Sequence, residues 1–538
     1  MRVARGSVAQ STMVKSANAG LVALGVGTGP DGLEPGQGAA QAGARYGIDL
    51  AATAERRGFT GASGTAAVID LPVLHGTGPQ WRGLAPAIAL IGVGEANPAS
   101  YRQAGARLAR LARGRGPVTA ALGAKSPEHT RSLVEGYLLG AYQPERWGIG
   151  AGALGGPRDD AVPAPPTTPS RAHPASPVAD QGAGQVGDLT LLGPHDRAAV
   201  QVGWITAQAV ILARDLTNTP ASLKTPAWLE EQARNGAKRR NSVLVNSLGP
   251  ADLDKQGLKG ILAVGAGAWV GPAADAARSP RLVTVTHVPA GVKNPPHLVI
   301  VGKGITFDTG GLDLKRTAGM VSMKTDMAGA AAGLATVLAL SDLGADIKVS
   351  AVLPLAQNSV GAASYRPGDV IELYGGTTVE IGDTDAEGRV VLADALGWSA
   401  ANLEPTCVVD IATLTGAQKV ALGDGIGAVF ANDEVLAARF AEAGVSAGED
   451  WWRLPLADAY EPALATPNAD VATIALEPVG GGAITAALFL RRFAAPDVPW
   501  LHLDIAGPAR ATTGTDVAPA GATGFGVRTL LRLAQRLV

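Results

Sequence analysis

Residues 298–315 read LVIVGKGITFDTGGLDLK. The first four side chains, Leu298 to Val301, are all apolar, the pattern of a buried strand. The stretch after them is dense in glycine, so the backbone can turn tightly at the strand end and present Lys303, Asp308 and Lys315 inward. Polar residues that follow a buried strand mark the place where an open α/β sheet binds its ligands. No G-x-x-x-x-G-K-[ST] pattern is present, which argues against a phosphate loop. A Gly-rich turn with surface lysines is the plainer alternative.

Two more clusters lie downstream. Met323-Lys324-Thr325-Asp326-Met327 precedes a run at 328–343 that is small and apolar nearly throughout, which predicts a buried helix. Taken alone, Asp326 is most simply a carboxylate favoured at that helix's N-terminus. The third cluster, DTDAEGR at 383–389, puts Asp385 and Glu387 on one face if the chain is extended, with Arg389 continuing that face. Three acids in five residues repel one another unless a cation neutralises them. Taken alone, they read equally well as solvated loop acids. Together the clusters favour a metal site. Carboxylates with no His or Cys among them suit divalent cations such as Mn²⁺, Mg²⁺ or Zn²⁺. The chain's seven histidines are scattered, which disfavours a His-based zinc site.

Outward from these clusters, strands are expected at 348–353, 407–411 and 500–503. The first segment, to about residue 147, also alternates: strands at 87–93 and 118–122, helices at 101–111 and 130–142. That alternation predicts an α/β domain, and it carries no catalytic constellation. Residues 155–187 shift in composition, with a core VPAPPTTP at 162–169 almost free of large apolar side chains. Such a segment cannot bury enough surface to offset its ordering entropy, so a mobile insertion is expected. Strand pattern resumes at 189–192, and a long helix is expected at 195–215, ended by Asn218-Thr219-Pro220. The resulting layout is an N-terminal α/β domain at 1–154, the insertion at 155–187 and a catalytic domain at 188–538.

Bulk properties bound the reading. A chain of 538 residues exceeds one ordinary core. With 46% hydrophobic and 17% charged residues, and a mean hydropathy of +0.16, it is a folded protein and not a disordered one. A net charge of −2 gives no support to a nucleic-acid or anionic-membrane partner. The single cysteine, Cys407, allows no internal disulfide and no thiolate cluster, and sits in an apolar stretch as a strand residue would. The mild apolar run at 19–26 is interrupted by Gly20 and Gly25 and reads as a strand, not as a signal peptide. No run approaches the roughly 20 apolar residues that span a bilayer. A cytoplasmic location is expected.

KGITFDTGGLDLK, the Met320–Met327 segment and DTDAEGR resemble the signatures of the M17 leucyl aminopeptidases, the cytosol aminopeptidase family. Ala412-Thr413-Leu414-Thr415-Gly416 and Leu503-Asp504-Ile505-Ala506-Gly507 resemble that family's strand-loop segments. The resemblance is strong from about Asp215 to the C-terminus. It implies an N-terminal α/β (macro-like) domain and a C-terminal zinc-peptidase-like α/β domain with a mixed central sheet. It further implies release of N-terminal residues, leucine and other apolar ones, from peptides. Two divalent metals, Mn²⁺ or Zn²⁺ with Mg²⁺ as an alternative, would be held by five residues. Asp308, Asp385 and Glu387 would serve the more exchangeable metal; Lys303, Asp308, Asp326 and Glu387 the tighter one. Lys303 would need its pKa lowered by metal and burial. Lys315 would polarise the scissile carbonyl, and Arg389 would hold a bicarbonate acting as general base. Met323, Thr413, Gly416, Ala506 and Ala509 would line the side-chain pocket.

The resemblance also implies a homohexamer, a dimer of trimers. Three features depart from the family pattern: Asp383 where Asn is common, Ala328 where Gly is frequent, and the Pro-rich insertion. Two competing functions are another two-metal hydrolase, such as a phosphoesterase, and a DNA-binding architectural role beside the peptidase activity. Lysine among the ligands weighs against the first, and the net charge against the second.

Overall fold

The computed structural model describes residues 2–4, 19–29, 32–36, 38–71, 83–145, 186–269, 276–477 and 479–538. The Pro/Ala/Thr-rich stretch expected as an insertion, 155–187, lies outside the described residues except for its last two.

Among the described residues the strands form two large sheets. The first contains β1 (Arg2–Ala4), β2 (Leu21–Gly29), β3 (Gly32–Pro35), β4 (Ala66–Asp70), β5 (Ala87–Gly94), β6 (Val118–Ala121) and β7 (Leu189–Leu192), in the order β1-β7-β6-β2-β5-β4, with β3 beside β2. The helices Pro98–Ala112 and Pro127–Ala141 occupy the segments expected to be helical. Each starts on a side-chain cap, Asn97 and Ser126, with proline at the first helical position, where no N–H is needed.

β7 lies beyond the composition break yet pairs with β6 and β1, so the chain re-enters the first sheet before leaving it. It leaves through the helix Arg197–Asn218, which packs on the helix Pro127–Ala141. Three leucines and a threonine announce a strand, but their pattern does not say which sheet will take them.

The second sheet is built from β8 (Val243–Leu248), β9 (Arg281–His287), β10 (His297–Gly302), β11 (Gly304–Asp308), β12 (Lys348–Asn358), β15 (Cys407–Ala412), β16 (Gly427–Ala431), β17 (Trp451–Arg453) and β19 (Trp500–Asp504). Between and after these run β13 (Val370–Glu372), β14 (Thr378–Glu380) and β18 (Val471–Ala472) in a small sheet, and the pair β20 (Arg510–Ala511) and β21 (Gly521–Ala522). The order is β17-β16-β19-β15-β10-β12-β9-β8, with β11 beside β12. Its centre is parallel, whereas β9 pairs antiparallel to β12 and β8, and β16 antiparallel to β19, so the sheet is mixed. Alternate residues of β10 face opposite cores: Leu298 and Ile300 pack with the helix Ala328–Asp342, Val299 and Val301 with the helix Glu387–Leu403. That two-sided burial explains the unbroken apolar run.

β12 continues past its expected end at 353, through Pro354 to Asn358. Pro354 falls where the partner changes from β10, at Val301↔Val352, to β11, at Gly304↔Leu355, so its missing N–H sits at a break in the ladder. The extension matters because it carries Asn358 to the site.

The helix Ala328–Asp342 is buried from Ala328 to Leu340 and lies hard against the sheet. A Cβ on Gly329 would stand 2.0 Å from the Ile411 carbonyl oxygen, and one on Gly302 would stand 2.6 Å from the Gly329 oxygen. Glycine at both positions lets the helix start reach the strand end. There Lys303 N–H donates to Ile411 O at 3.0 Å and Ala330 N–H donates to Lys303 O at 2.9 Å.

Candidate metal centre

Lys303 occupies the one-residue break between β10 and β11, locked by those two backbone bonds. Its buried Nζ lies 2.8 Å from Asp326 Oδ1 and 2.8 Å from Glu387 Oε1, and donates to Thr413 O at 3.0 Å. Asp308 closes β11. Its Oδ1 accepts from Gly310 N–H at 2.8 Å and from Asn358 Nδ2 at 2.9 Å, while Oδ2 lies 2.8 Å from Lys315 Nζ. Lys315 returns to the strand end because Gly310 (φ +87°) and Gly311 (φ +66°) turn through the left-handed region. It also pairs with Asp385 Oδ1.

Asp326 follows a short 3₁₀ turn, Met323–Thr325, and makes no cap; the helix begins two residues later without a side-chain capping bond. Its Oδ1 accepts instead from Lys303 and from Thr413 Oγ1 at 2.7 Å. DTDAEGR is not extended. Asp383 accepts from Asp385 N–H at 2.7 Å and starts a 3₁₀ turn, Thr384–Ala386, which runs into the helix at Glu387. The turn achieves what an extended segment would have done by alternation. One oxygen each from Asp308, Asp385 and Glu387 lies within 4.8 Å of the others.

Burial and the neighbouring acids govern the electrostatics. Burial raises the Asp326 and Glu387 carboxyls above the ordinary carboxylate range. Asp385 is pushed up to about 7, by burial first and by the Asp308 charge second. For Lys303, burial opposes the ammonium, but Asp326, Glu387 and Asp308 outweigh it and hold its pKa above the usual lysine value. Burial thus acts in the expected direction on Lys303, and the carboxylates it stands among outweigh it. Lys315 is raised for the same reason.

Two buried oxygens, Asp326 Oδ2 and Glu387 Oε2, have no hydrogen-bond partner. Bare carboxylate oxygens in a buried acidic cluster are a donor set that fits hard or borderline divalent cations.

Arg389, two residues into the helix, donates from Nη1 to Thr473 O at 2.6 Å, and its buried Nε has no partner. Burial pulls its pKa down to about 10. All of these residues line one cavity of about 820 Å³, together with Met323, Thr413, Gly416 and Ala506. Ala509, expected in the same pocket, is buried in the core under the sheet instead.

Three positioning residues carry no signal in composition or charge alone. Asn358 donates to Asp308 Oδ1 and to Thr384 O, tying two of the acidic segments together. Lys224, fully buried, donates to Thr217 O at 2.8 Å and Lys324 O at 2.5 Å, anchoring the Met323–Thr325 turn. Asp504, at the end of β19, accepts from Leu414 N, Thr415 N and Ala506 N, each at 3.1 Å, and from Thr415 Oγ1 at 2.7 Å. It thus joins both loops that line the cavity's far wall. The acid in Leu503-Asp504-Ile505-Ala506-Gly507 was the available hint.

Residues 211–531 match the profile of the cytosol aminopeptidase family's catalytic domain, and residues 23–147 that of its N-terminal domain. A probable cytosol aminopeptidase of Streptomyces coelicolor is 37% identical over 96% of this chain and 95% of its own length. One from Desulfovibrio desulfuricans is 45% identical, over 63% of this chain and 65% of that one, so the match spans just under two thirds of that relative. Among solved structures, the bottromycin maturation enzyme BotP in complex with Mn superposes with a TM-score of 0.78 at 32% identity, covering 96% of this chain and 99% of that one. A mutant of tomato leucine aminopeptidase superposes with a TM-score of 0.79 at 28% identity, covering 99% and 96%.

Proposed function

The chain belongs to the cytosol aminopeptidase family, metal-dependent hydrolases acting at peptide N-termini, and we propose that it works with two divalent cations held by Lys303, Asp308, Asp326, Asp385 and Glu387. The observation that carries this reading is the pair of bare buried oxygens on Asp326 and Glu387, beside the converging oxygens of Asp308, Asp385 and Glu387. Asp308, Asp385 and Glu387 suit one cation; Lys303, Asp308, Asp326 and Glu387 suit the other. Mn²⁺, Zn²⁺ or Mg²⁺ bound there would supply Lewis acidity to the peptide carbonyl and to water, and a seat for the substrate's neutral α-amine.

The chain's own groups do the rest. Lys303 must give up the proton its acidic neighbours now hold before its amine can serve as a ligand. Lys315, fixed by Asp308 and Asp385, reaches the cavity with an ammonium that can donate to the carbonyl oxygen as negative charge develops. Arg389, with a buried free N–H, offers a seat for a small oxyanion, and a bicarbonate held there would supply a general base toward water.

Met323, Thr413, Gly416 and Ala506 form the side-chain pocket, which suits leucine and other apolar N-terminal residues. The same reading extends to a homohexamer in the cytoplasm. Among the described residues no helix is long and apolar enough to cross a membrane. Chelation is expected to abolish hydrolysis of Leu-p-nitroanilide, and Mn²⁺ or Zn²⁺ to restore it, with the N-acetylated substrate untouched throughout. Turnover by metal-free protein, or equal turnover of the blocked substrate, overturns the reading.

A further inference from the structure

We propose that the mouth of the cavity is a carboxylate-binding subsite, formed by Arg316 and Arg510, that favours peptides bearing a carboxylate just beyond the scissile bond. The inference rests on the aminopeptidase reading above. It starts from how charge is distributed along the cavity wall. The acids that line it, Asp308, Asp326, Asp383, Asp385 and Glu387, all belong to the floor described above. Its remaining charged lining residues are Arg316, Lys419 and Arg510, and no acid accompanies them.

Lys419 is engaged with Asp424 at 3.0 Å. Arg316 and Arg510 form no ion pair and no side-chain hydrogen bond among the described residues. Other arginines of this chain find carboxylates readily, as Arg240 does with Asp342 at 2.6 Å and Arg281 with Glu230 at 2.6 Å. Arg510 is only partly exposed and is held in the short β20–β21 pair. Arg510 lines this cavity and also a second hollow of about 450 Å³, which it shares with Lys324 and Glu145. Guanidinium groups that line a cavity with no carboxylate bound to them attract an incoming anion.

Placement supplies the substrate chemistry. Arg316 directly follows Lys315, the residue assigned to the scissile carbonyl, and both line the cavity, so its guanidinium is available to the part of the substrate beyond that carbonyl. A guanidinium binds a carboxylate through a planar pair of N–H donors, which a lysine cannot match. Two sources present that group at this distance: the C-terminus of a dipeptide or tripeptide, and an acidic side chain after the cleaved bond.

The test compares kcat/KM on the metal-loaded protein for two substrate pairs. Leu-Gly against Leu-Gly-amide reports on the terminal carboxylate. Leu-Asp-amide against Leu-Asn-amide reports on the acidic side chain. At least one carboxylate-bearing member is expected to win by about fivefold or more, mostly through KM, with the advantage shrinking as salt screens it. The pair that responds identifies the source.

In the double variant Arg316→Gln/Arg510→Gln both the preference and its salt dependence should fall to about one, and Arg316→Glu/Arg510→Glu should invert the preference. Thermal melts of both variants check that the fold persists, and the more conservative Gln variant decides if the Glu variant melts early. Ratios near one in the unmodified protein, or a preference that survives the Gln variant, overturn the proposal. Hydrolysis of the charged and uncharged members at equal rates would show that the aminopeptidase reading stands while the subsite fails. No hydrolysis of any member overturns both.

Discussion

Where the helices Pro98–Ala112 and Pro127–Ala141 meet the last helix, Val527–Arg536, Glu135 is buried among three arginines: Arg102 at 3.1 Å, Arg131 at 3.4 Å and Arg532 at 3.6 Å. On the cavity floor the proportion is reversed, with Asp308, Asp326, Asp385 and Glu387 gathered around Lys303 and Lys315. Both regions bury ionised groups, which is costly unless partners surround them. At the junction the charge is met by side chains of the fold itself, which join the N-terminal helices to the C-terminal one. On the floor fixed cations are too few, two acid oxygens have no partner, and three carboxyls are driven above their ordinary range. A protein keeps such an arrangement where something from solution completes it.

The sharpest way to break this contrast is to remove one bridging acid. Glu387→Ala should lose metal and activity together, with kcat down at least roughly a thousandfold, about 4 kcal/mol of barrier. Lys315→Ala should keep its metals and lose roughly 10²–10³ in kcat, the scale of one missing oxyanion stabiliser. Elemental analysis beside kinetics separates the two roles. If Lys315→Ala loses its metals, or Glu387→Ala keeps both, the assignment of ligands and stabiliser is wrong.

Much of this was readable from the chain. The apolar run before Lys303 announced a buried strand, and the acids of Asp308, Asp326, Asp385 and Glu387 announced a cation site, because local pattern reports burial and charge. Pairing is not local. Nothing in Leu189–Leu192 says that it returns to the first sheet, and nothing near Pro354 says that the strand partner changes there. The 383–389 segment was legible in its residues but not in its shape, since one capping bond from Asp383 turns it into a 3₁₀ turn. Asn358 and Lys224 were invisible for a related reason. Each works by hydrogen bonds to backbone or side chains dozens of residues away.

The junction yields a prediction of the opposite kind. Glu135→Gln keeps the shape and one acceptor oxygen but leaves Arg102, Arg131 and Arg532 without their shared anion. A loss of about 2–3 kcal/mol in stability is expected, read as a lower urea midpoint or melting temperature. Metal content and kcat at 25 °C should stay at the unmodified values, because no bond from Glu135 reaches the cavity. A fall in metal affinity without a fall in stability would show that the two charge clusters are coupled and not independent.

The smallest effect expected is also the one that tests where the metal floor ends and the specificity wall begins. Asp504 holds the 414–415 turn and Ala506 by four bonds to one carboxylate. In Asp504→Asn one oxygen becomes an NH₂ group, so the amide strands either the N–H groups of Leu414 and Ala506 or the N–H and hydroxyl of Thr415, according to the way it turns. One side chain's worth of such bonds is about 1–2 kcal/mol. The wall should loosen, raising KM for leucyl substrates and cutting the preference for leucyl over alanyl p-nitroanilide by roughly tenfold. Thr413 complicates the boundary, because its carbonyl accepts from Lys303 and its hydroxyl donates to Asp326 while it borders the turn that Asp504 holds. If Thr413 is fixed from the metal side, both metals stay bound in Asp504→Asn and only selectivity moves. Joint loss of metal and selectivity would mean that the turn is held from the Asp504 side, and that floor and wall form one unit.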